Sequence, residues 1–126
     1  MDKQHNGLAA RAVQVTVTAT GGANAAVVAT MPAVPGWVNV IQGYDITGTG
    51  ATAAALVDIT ISGLAVAVSH KAAVPAGVTV LTERNVRFPN GLQATAANTA
   101  VAVTLPALGL GSLSATVNVY GYRVRG

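Results

Sequence analysis

AVQVTVTAT, residues 12–20, alternates strictly between apolar and polar side chains. Because successive side chains of an extended strand point to opposite sides, three valines and Ala19 share one side, while Gln14 and three threonines share the other. This period of two predicts a half-buried strand. The turn-like GGAN (21–24) and the apolar AAVVATM (25–31) follow it, so we expect these two strands to form a hairpin.

Six further strand-like segments follow along the chain. They are WVNVIQGYDIT (37–47), ALVDITIS (55–62), LAVAVSH (64–70), VTVLTERNVRF (78–88), TAVAVTL (99–105) and SATVNVYGYRV (114–124). FPNG (88–91) is expected to be a turn, and no segment has a helical pattern of useful length. The eight segments predict an all-β protein: a single-domain antiparallel β-sandwich over residues 12–126, jelly-roll-like, with an immunoglobulin-like sandwich as the alternative. Residues 1–11 are expected to form a polar N-terminal arm.

The alternation also predicts which side chains face the core. Those expected inward are Val38, Val40, Tyr44 and Ile46 of the third segment, Val57, Ile59 and Ile61 of the fourth, Leu64, Val66 and Val68 of the fifth, and Val101, Val103 and Leu105 of the seventh. Gly43 is expected at a bulge or at a close backbone approach.

The composition is poor in charge and rich in small apolar residues. Charged residues make up 9% of the chain, against roughly 25% in typical soluble domains, and there are 25 Ala and 20 Val. We therefore expect part of the surface to be buried in an assembly. The formal net charge of +3 is small and dispersed, so we expect no nucleic-acid partner.

Several other classes of protein are disfavoured by the same composition. The chain contains no cysteine, which excludes disulfides and thiolate metal sites. No apolar run approaches the ~20 residues of a membrane helix, so we expect no membrane partner. MDKQHNGLAARA, at the start of the chain, has no apolar segment of signal-peptide length, so we expect the protein to be made in a cytosol and not to use the general secretion route.

Few side chains are suited to catalysis. A glycosidase would need two carboxylates, and the candidates are Asp45 and Asp58, or Glu83. We expect these side chains to be solvated rather than to converge in a cleft. His70 is expected to be exposed at the end of its strand, and its neighbour Ser69 points to the opposite face. We therefore expect no enzyme, no cofactor and no metal site.

VNVYGYRV, residues 117–124, mixes polar and apolar residues on both faces. A strand with this pattern is either bulged or covered on both sides, and tyrosines suit a subunit contact because the ring buries area while the hydroxyl finds a partner. We expect a homo-oligomer, a dimer or a trimer. The candidate subunit or capsid contact residues are Tyr120, Gly121, Tyr122, Arg123, Arg125, Trp37, Lys3 and Arg11.

FPNGLQATAANTAVAVTLPALGLGSLSATVNVYGYRV (88–124) resembles the end of small tailed-phage virion proteins of the capsid decoration, or cement, type. WVNVIQGYDITGTG (37–50) adds a weaker similarity. The resemblance implies a small β-sandwich on the capsid surface that binds the major capsid protein or another virion protein and stabilises the head. It carries no catalytic residues. The alternative is a glycan- or receptor-binding jelly-roll module of a phage tail or head fibre, which would use Trp37 or Tyr44.

Overall fold

The computed structural model describes residues 12–77 and 84–126. Eight strands run through these residues: β1 (Ala12–Gly21), β2 (Val27–Met31), β3 (Trp37–Gly48), β4 (Ala55–Ser62), β5 (Val68–Val74), β6 (Arg84–Gln93), β7 (Val101–Leu105) and β8 (Ala115–Arg125). Within the described part of the chain there is no helix long and apolar enough to cross a membrane.

The strands form two packed four-stranded antiparallel sheets. One sheet, sheet 1, has the order β1-β8-β3-β6, and the other, sheet 2, has the order β2-β7-β4-β5. β4 pairs with β5, β3 with β6, β2 with β7 and β1 with β8, so the chain folds as one long antiparallel ribbon that wraps around the core. This is a jelly-roll arrangement. The predicted eight-stranded all-β sandwich is confirmed.

The connections between strands alternate between two ends of the sandwich. At one end, which we call the loop end, backbone hydrogen bonds join the β1–β2, β3–β4 and β7–β8 connections, as in Asn24 N to Ser112 O (3.1 Å) and Thr52 N to Leu110 O (2.7 Å). At the other end, which we call the Trp37 end, Trp37 pairs with Arg125 and Ala12 pairs with Val124. The first described residue of β1 and the last residue of β8 therefore lie together at the Trp37 end.

The core lies between the two sheets and is built mainly from β-branched and small side chains. The largest fully buried side chains between the sheets are Tyr44, Met31, Ile41, Ile46, Ile59, Ile61, Leu105, Val74, Val101, Val103 and Val117. Alternating strands place such residues inward at every second position. The inward positions predicted for the fourth and seventh segments are confirmed, with Val57 partly buried against the core.

A bulge in β3 changes the parity of that strand. The pairing of β3 with both neighbours shifts between Ile41 and Gly43, so the predicted bulge at Gly43 is confirmed. The extra residue moves Ile41 to the core side together with Tyr44. Val40 pairs with Tyr122 and is buried on the outer side of the sheet instead. The prediction that Val38 and Val40 share a face with Tyr44 is therefore wrong.

The predicted hairpin between the first two strands is also wrong. β1 pairs with β8 along its whole length, whereas β2 belongs to the other sheet. The connection around Asn24, whose φ is +46°, carries the chain from one sheet to the other. A short turn-like segment serves such a crossing as well as it serves a hairpin.

Two further boundaries differ from the prediction. β5 begins at Val68 rather than at residue 64, because Gly63 turns the chain at φ +90° and Val66 lies exposed in the connection. FPNG does not end a strand: Arg87 pairs with Gly43 and Leu92 with Ile41, so residues 88–91 form a bulge within β6. β6 is an edge strand, where a proline is tolerated. The predicted strand residues 78–83 lie outside the described residues.

Candidate functional site

Gly121 lies on the core side of β8, opposite Ile41 of β3. A side chain there would meet the carbonyl oxygen of Val40, Cε of Met31 at 3.0 Å and Cα of Ile41 at 3.1 Å. Backbone atoms cannot move aside as a flexible side chain can, so only glycine fits. The crowding comes from β2 and β3 of the same chain.

Tyr120 lies on the outer face of sheet 1 and joins a charged cluster with Asp45 and Arg87. The Tyr120 hydroxyl donates a hydrogen bond to Oδ2 of Asp45 (2.6 Å), and Nη1 of Arg87 donates to Oδ1 of the same carboxylate (3.2 Å). The Arg87 guanidinium carbon lies 5.0 Å from the centre of the Tyr120 ring. The carboxylate is only 13% exposed, so its two oxygens are held by one hydroxyl and one guanidinium from neighbouring strands.

The bulge residue Gly43 makes this cluster possible. Gly43 lies between Arg87 of β6 and Tyr120 of β8 in the sheet. A side chain on Gly43 would meet Cδ and Nη1 of Arg87, each at 2.9 Å. The missing side chain leaves space for Arg87 to reach across β3. Sequence reasoning missed Asp45 and Arg87 as partners of Tyr120, and the glycine at the bulge was the one local signal of a close approach.

Polar side chains continue the outer face of sheet 1 toward β1. Thr18 Oγ1 donates to Oδ1 of Asn118 (2.7 Å), and the hydroxyls of Thr20 and Thr116 are 2.9 Å apart. These are cross-strand pairs between β1 and β8. Tyr120 and Tyr122 lie on the same face and are partly buried within the single chain. Their assignment to a subunit or capsid contact stays a prediction.

Basic and aromatic residues meet at the Trp37 end. The guanidinium carbon of Arg125 lies 4.8 Å from the centre of the Trp37 ring, a cation–π contact. Arg123 pairs with Asn39, and Nε of Arg123 and Oδ1 of Asn39 are buried without a hydrogen-bond partner in the described part of the chain. The structure thus brings Trp37, Arg123 and Arg125 together. Lys3 and Arg11 lie outside the described residues.

The amide of Asn39 anchors this end of the sandwich. Its Nδ2 donates to the carbonyl oxygens of Pro32 (2.9 Å) and Thr99 (2.9 Å), with Met31 O at 3.4 Å. Asn39 is 2% exposed, and its amide takes the place of water as the hydrogen-bond donor to carbonyl oxygens at the end of β2 and just before β7. The bulge in β3 places Ile41 on the core side, and Asn39, two residues before it, therefore points inward as well.

Tyr44 is buried in the core and does not offer its ring to solvent. Its hydroxyl is 2.7 Å from Nδ1 of His70, and the rings of Tyr44, His70 and Phe88 form a cluster with centres 6.0–6.4 Å apart. Burial raises the pKa of Tyr44, and the charge of Arg84 and a hydrogen bond from it act in the opposite direction. Because its ring is buried, Tyr44 cannot stack on a sugar.

The expectation of an exposed His70 at a strand end is wrong, because β5 extends to residue 74 and His70 lies against Tyr44.

The candidate carboxylates do not converge. Asp45 lies on the outer face of sheet 1, whereas Asp58 lies on the outer face of sheet 2, where it forms a 2.7 Å salt bridge with Lys71. Glu83 lies outside the described residues. In residues 12–77 and 84–126, no group of three or more His, Cys, Asp or Glu side chains is placed to hold a metal ion.

The loop end carries an apolar surface. Leu110 is 77% exposed and Leu113 is 61% exposed, both in the β7–β8 connection. Beside them is an open cavity of about 380 Å³, lined by Ala51, Thr52, Ala53, Ala54, Ala55, Leu108, Gly109 and Leu110. The described connections at this end, residues 22–26, 49–54, 75–77 and 106–114, contain no charged residue. Exposed apolar patches of this kind mark surfaces that bind a partner.

No protein-family model matches this chain, and no curated protein matches it.

Proposed function

We propose that this protein is a non-enzymatic structural protein of a phage virion, which decorates the capsid surface and stabilises it by binding across neighbouring major capsid protein subunits. The observation that carries the proposal is the apolar loop end, where Leu110 and Leu113 are exposed and the described connections contain no charged residue. The similarity of residues 88–124 and 37–50 to capsid decoration proteins supports the virion as the location. The protein would be made in the host cytoplasm.

The loop end is the surface that meets the shell. Burying apolar side chains stabilises a complex by roughly 25 cal/mol per Å² before the costs of association. The cavity of about 380 Å³ gives a partner side chain a place to enter. The described connections at this end carry no charge, so their burial avoids the desolvation of unpaired ions.

Repetition makes a modest contact sufficient. A capsid presents the same junction many times, and linked or neighbouring copies bind with an avidity that exceeds the affinity of one site. The Trp37 end, with Arg123 and Arg125, then faces away from the shell or toward a neighbouring copy. The described connections of the loop end carry no charge, whereas the Trp37 end carries these two arginines.

The alternative of glycan binding has no support from the described residues. Tyr44 is fully buried, and the Trp37 ring is in contact with the Arg125 guanidinium. The Tyr44 ring therefore cannot stack on a sugar, and the Arg125 guanidinium occupies one face of the Trp37 ring.

The test compares heads that lack the protein with complete heads during heating and exposure to low salt. Adding the purified protein back should raise the temperature at which the heads open. The double variant Leu110→Ser and Leu113→Ser should bind less and protect less. Val66→Ser, an equally exposed apolar residue in the β4–β5 connection at the other end, is the matched control and should protect as the unchanged protein does. Heads that resist heat and low salt equally well without the protein would refute the proposal.

A further inference from the structure

β1 is a long strand at one edge of sheet 1. Among the described residues, β1 pairs only with β8, so the backbone N–H and C=O groups on its other side have no strand partner. The strand runs for ten residues, Ala12–Gly21. Such a row of unpaired groups is a template for another strand.

The other sheet edges are protected in recognisable ways. β6 carries Arg84, Arg87 and the bulge at Pro89, and β5 carries Lys71. β2 is only five residues long. Charges, prolines, bulges and short length all prevent edge-to-edge pairing. β1 has none of these features, and Val13 at its beginning is 46% exposed.

We propose that β1 pairs antiparallel with β1 of a second copy of this chain, so that sheet 1 of one copy and sheet 1 of the other join into one eight-stranded sheet. The strand is self-complementary. Its core side carries valines and its outer side carries threonines, and a two-fold axis pairs each side with itself. An uncharged strand also meets its own copy without repulsion.

Side-chain parity limits the register. Residues directly opposite each other in an antiparallel pair lie on the same face of the sheet. The two-fold axis must therefore lie midway between the two copies of one residue, so that this residue faces itself across the pair. Centred on Thr16, the pairing places Val15 opposite Val17 and the exposed Val13 opposite Ala19. Centring on Val17 pairs as many residues of β1, but it places the exposed Val13 opposite Gly21, which has no side chain to cover it, so we take Thr16 as the centre.

This dimer is a property of the purified chain and does not depend on binding to a capsid. Its failure and the failure of the decoration role are therefore distinguishable. Sedimentation should show a monomer–dimer equilibrium, and hydrogen exchange should slow in β1 as the protein concentration rises, with little change in the central strand β4.

Single cysteines test the register, since the chain has no native cysteine. Opposite Cα atoms in an antiparallel pair are 4.5–5.5 Å apart, within the range of a disulfide. Thr16→Cys should form a disulfide-linked dimer on mild oxidation. Thr18→Cys, the same substitution on the same face, should not, because Thr18 faces Gln14 of the other copy. Equal crosslinking at both positions, or none at Thr16, would overturn the proposed pairing.

Charge on the edge tests the contact without covalent chemistry. Gln14→Lys with Thr16→Lys places like charges opposite each other and should raise the dimer dissociation constant by about tenfold or more. Thr60→Lys with Ser62→Lys, on the exposed face of the central strand β4, is the control and should leave it unchanged. Thermal unfolding verifies that both variants are folded. A wild-type chain that stays monomeric at millimolar concentration, or lysines that leave association unaffected, would refute the proposal.

Discussion

The hydroxyl of Tyr120 on β8 donates a 2.6 Å hydrogen bond to Oδ2 of Asp45 on β3. The two residues are 75 positions apart in the chain, and the bulge at Gly43 sets the register that brings them together. The same carboxylate accepts a hydrogen bond from Arg87 of β6. One acid thus links the three strands β8, β3 and β6 across the outer face of sheet 1.

Tyr120→Phe should lower the free energy of unfolding by about 1 kcal/mol, because a partly buried carboxylate loses one donor while the ring is kept. Tyr122→Phe is the matched control. It lies on the same face of the same strand, and its hydroxyl forms no hydrogen bond within the described residues, so we expect almost no change. Urea denaturation of the three proteins measures the difference. Equal losses in the two variants would contradict the assigned bond.

Gly121→Val should destabilise the fold by about 3 kcal/mol or more, because the new side chain would overlap the backbone of β3 and Met31. Gly22→Val is the control, since a side chain at Gly22 would meet no atom within 4 Å. That variant should change stability by less than about 0.5 kcal/mol. A folded Gly121→Val protein with unchanged stability would show that β8 and β3 are not as close as described.

Asn39→Leu should cost about 2–3 kcal/mol, because it leaves buried carbonyl oxygens near β2 and β7 without their donor. Asn118→Leu, on the outer face of β8, loses a single bond from Thr18 and should cost less than about 1 kcal/mol. Chemical denaturation would compare the two. The order of the two effects is the decisive result, and its reversal would argue against the inward position of Asn39.

Stability should fall as the pH rises above the ordinary tyrosine pKa of 10.0, because burial raises the pKa of Tyr44 in the folded protein. The unfolded chain then releases its Tyr44 proton at a lower pH than the folded chain does. The folded state binds more protons in this window, so the free energy of unfolding decreases with increasing pH.

Tyr44→Phe isolates this contribution from that of the other tyrosines. The variant loses the hydroxyl near His70 and should be less stable at pH 8, but its stability should fall less steeply between pH 9 and 11. Urea unfolding across that range, in both proteins, gives the two slopes. Identical slopes would mean that Tyr44 ionises as readily in the folded protein as in the unfolded chain.

The sequence by itself determined the class of fold and much of the core. The period of two in β1, β4 and β7 predicts which side chains face the core, and this alternation depends only on neighbouring residues in the chain. Gly43 in an otherwise regular strand indicated the bulge. These are local properties, so they survive without knowledge of which strands become neighbours.

Strand partners and the sites between them were decided only by the tertiary structure. The alternation of apolar and polar residues identifies the buried side of a strand, but it does not identify the partner strand. The hydrogen bonds of a sheet are made with residues far away in the chain. The hairpin prediction for β1 failed for this reason: the turn after Gly21 suited either a hairpin or a crossing, and the long pairing with β8 decided it. The link between Asp45, Arg87 and Tyr120, and the contact between Tyr44 and His70, likewise exist only because the ribbon wraps distant strands side by side.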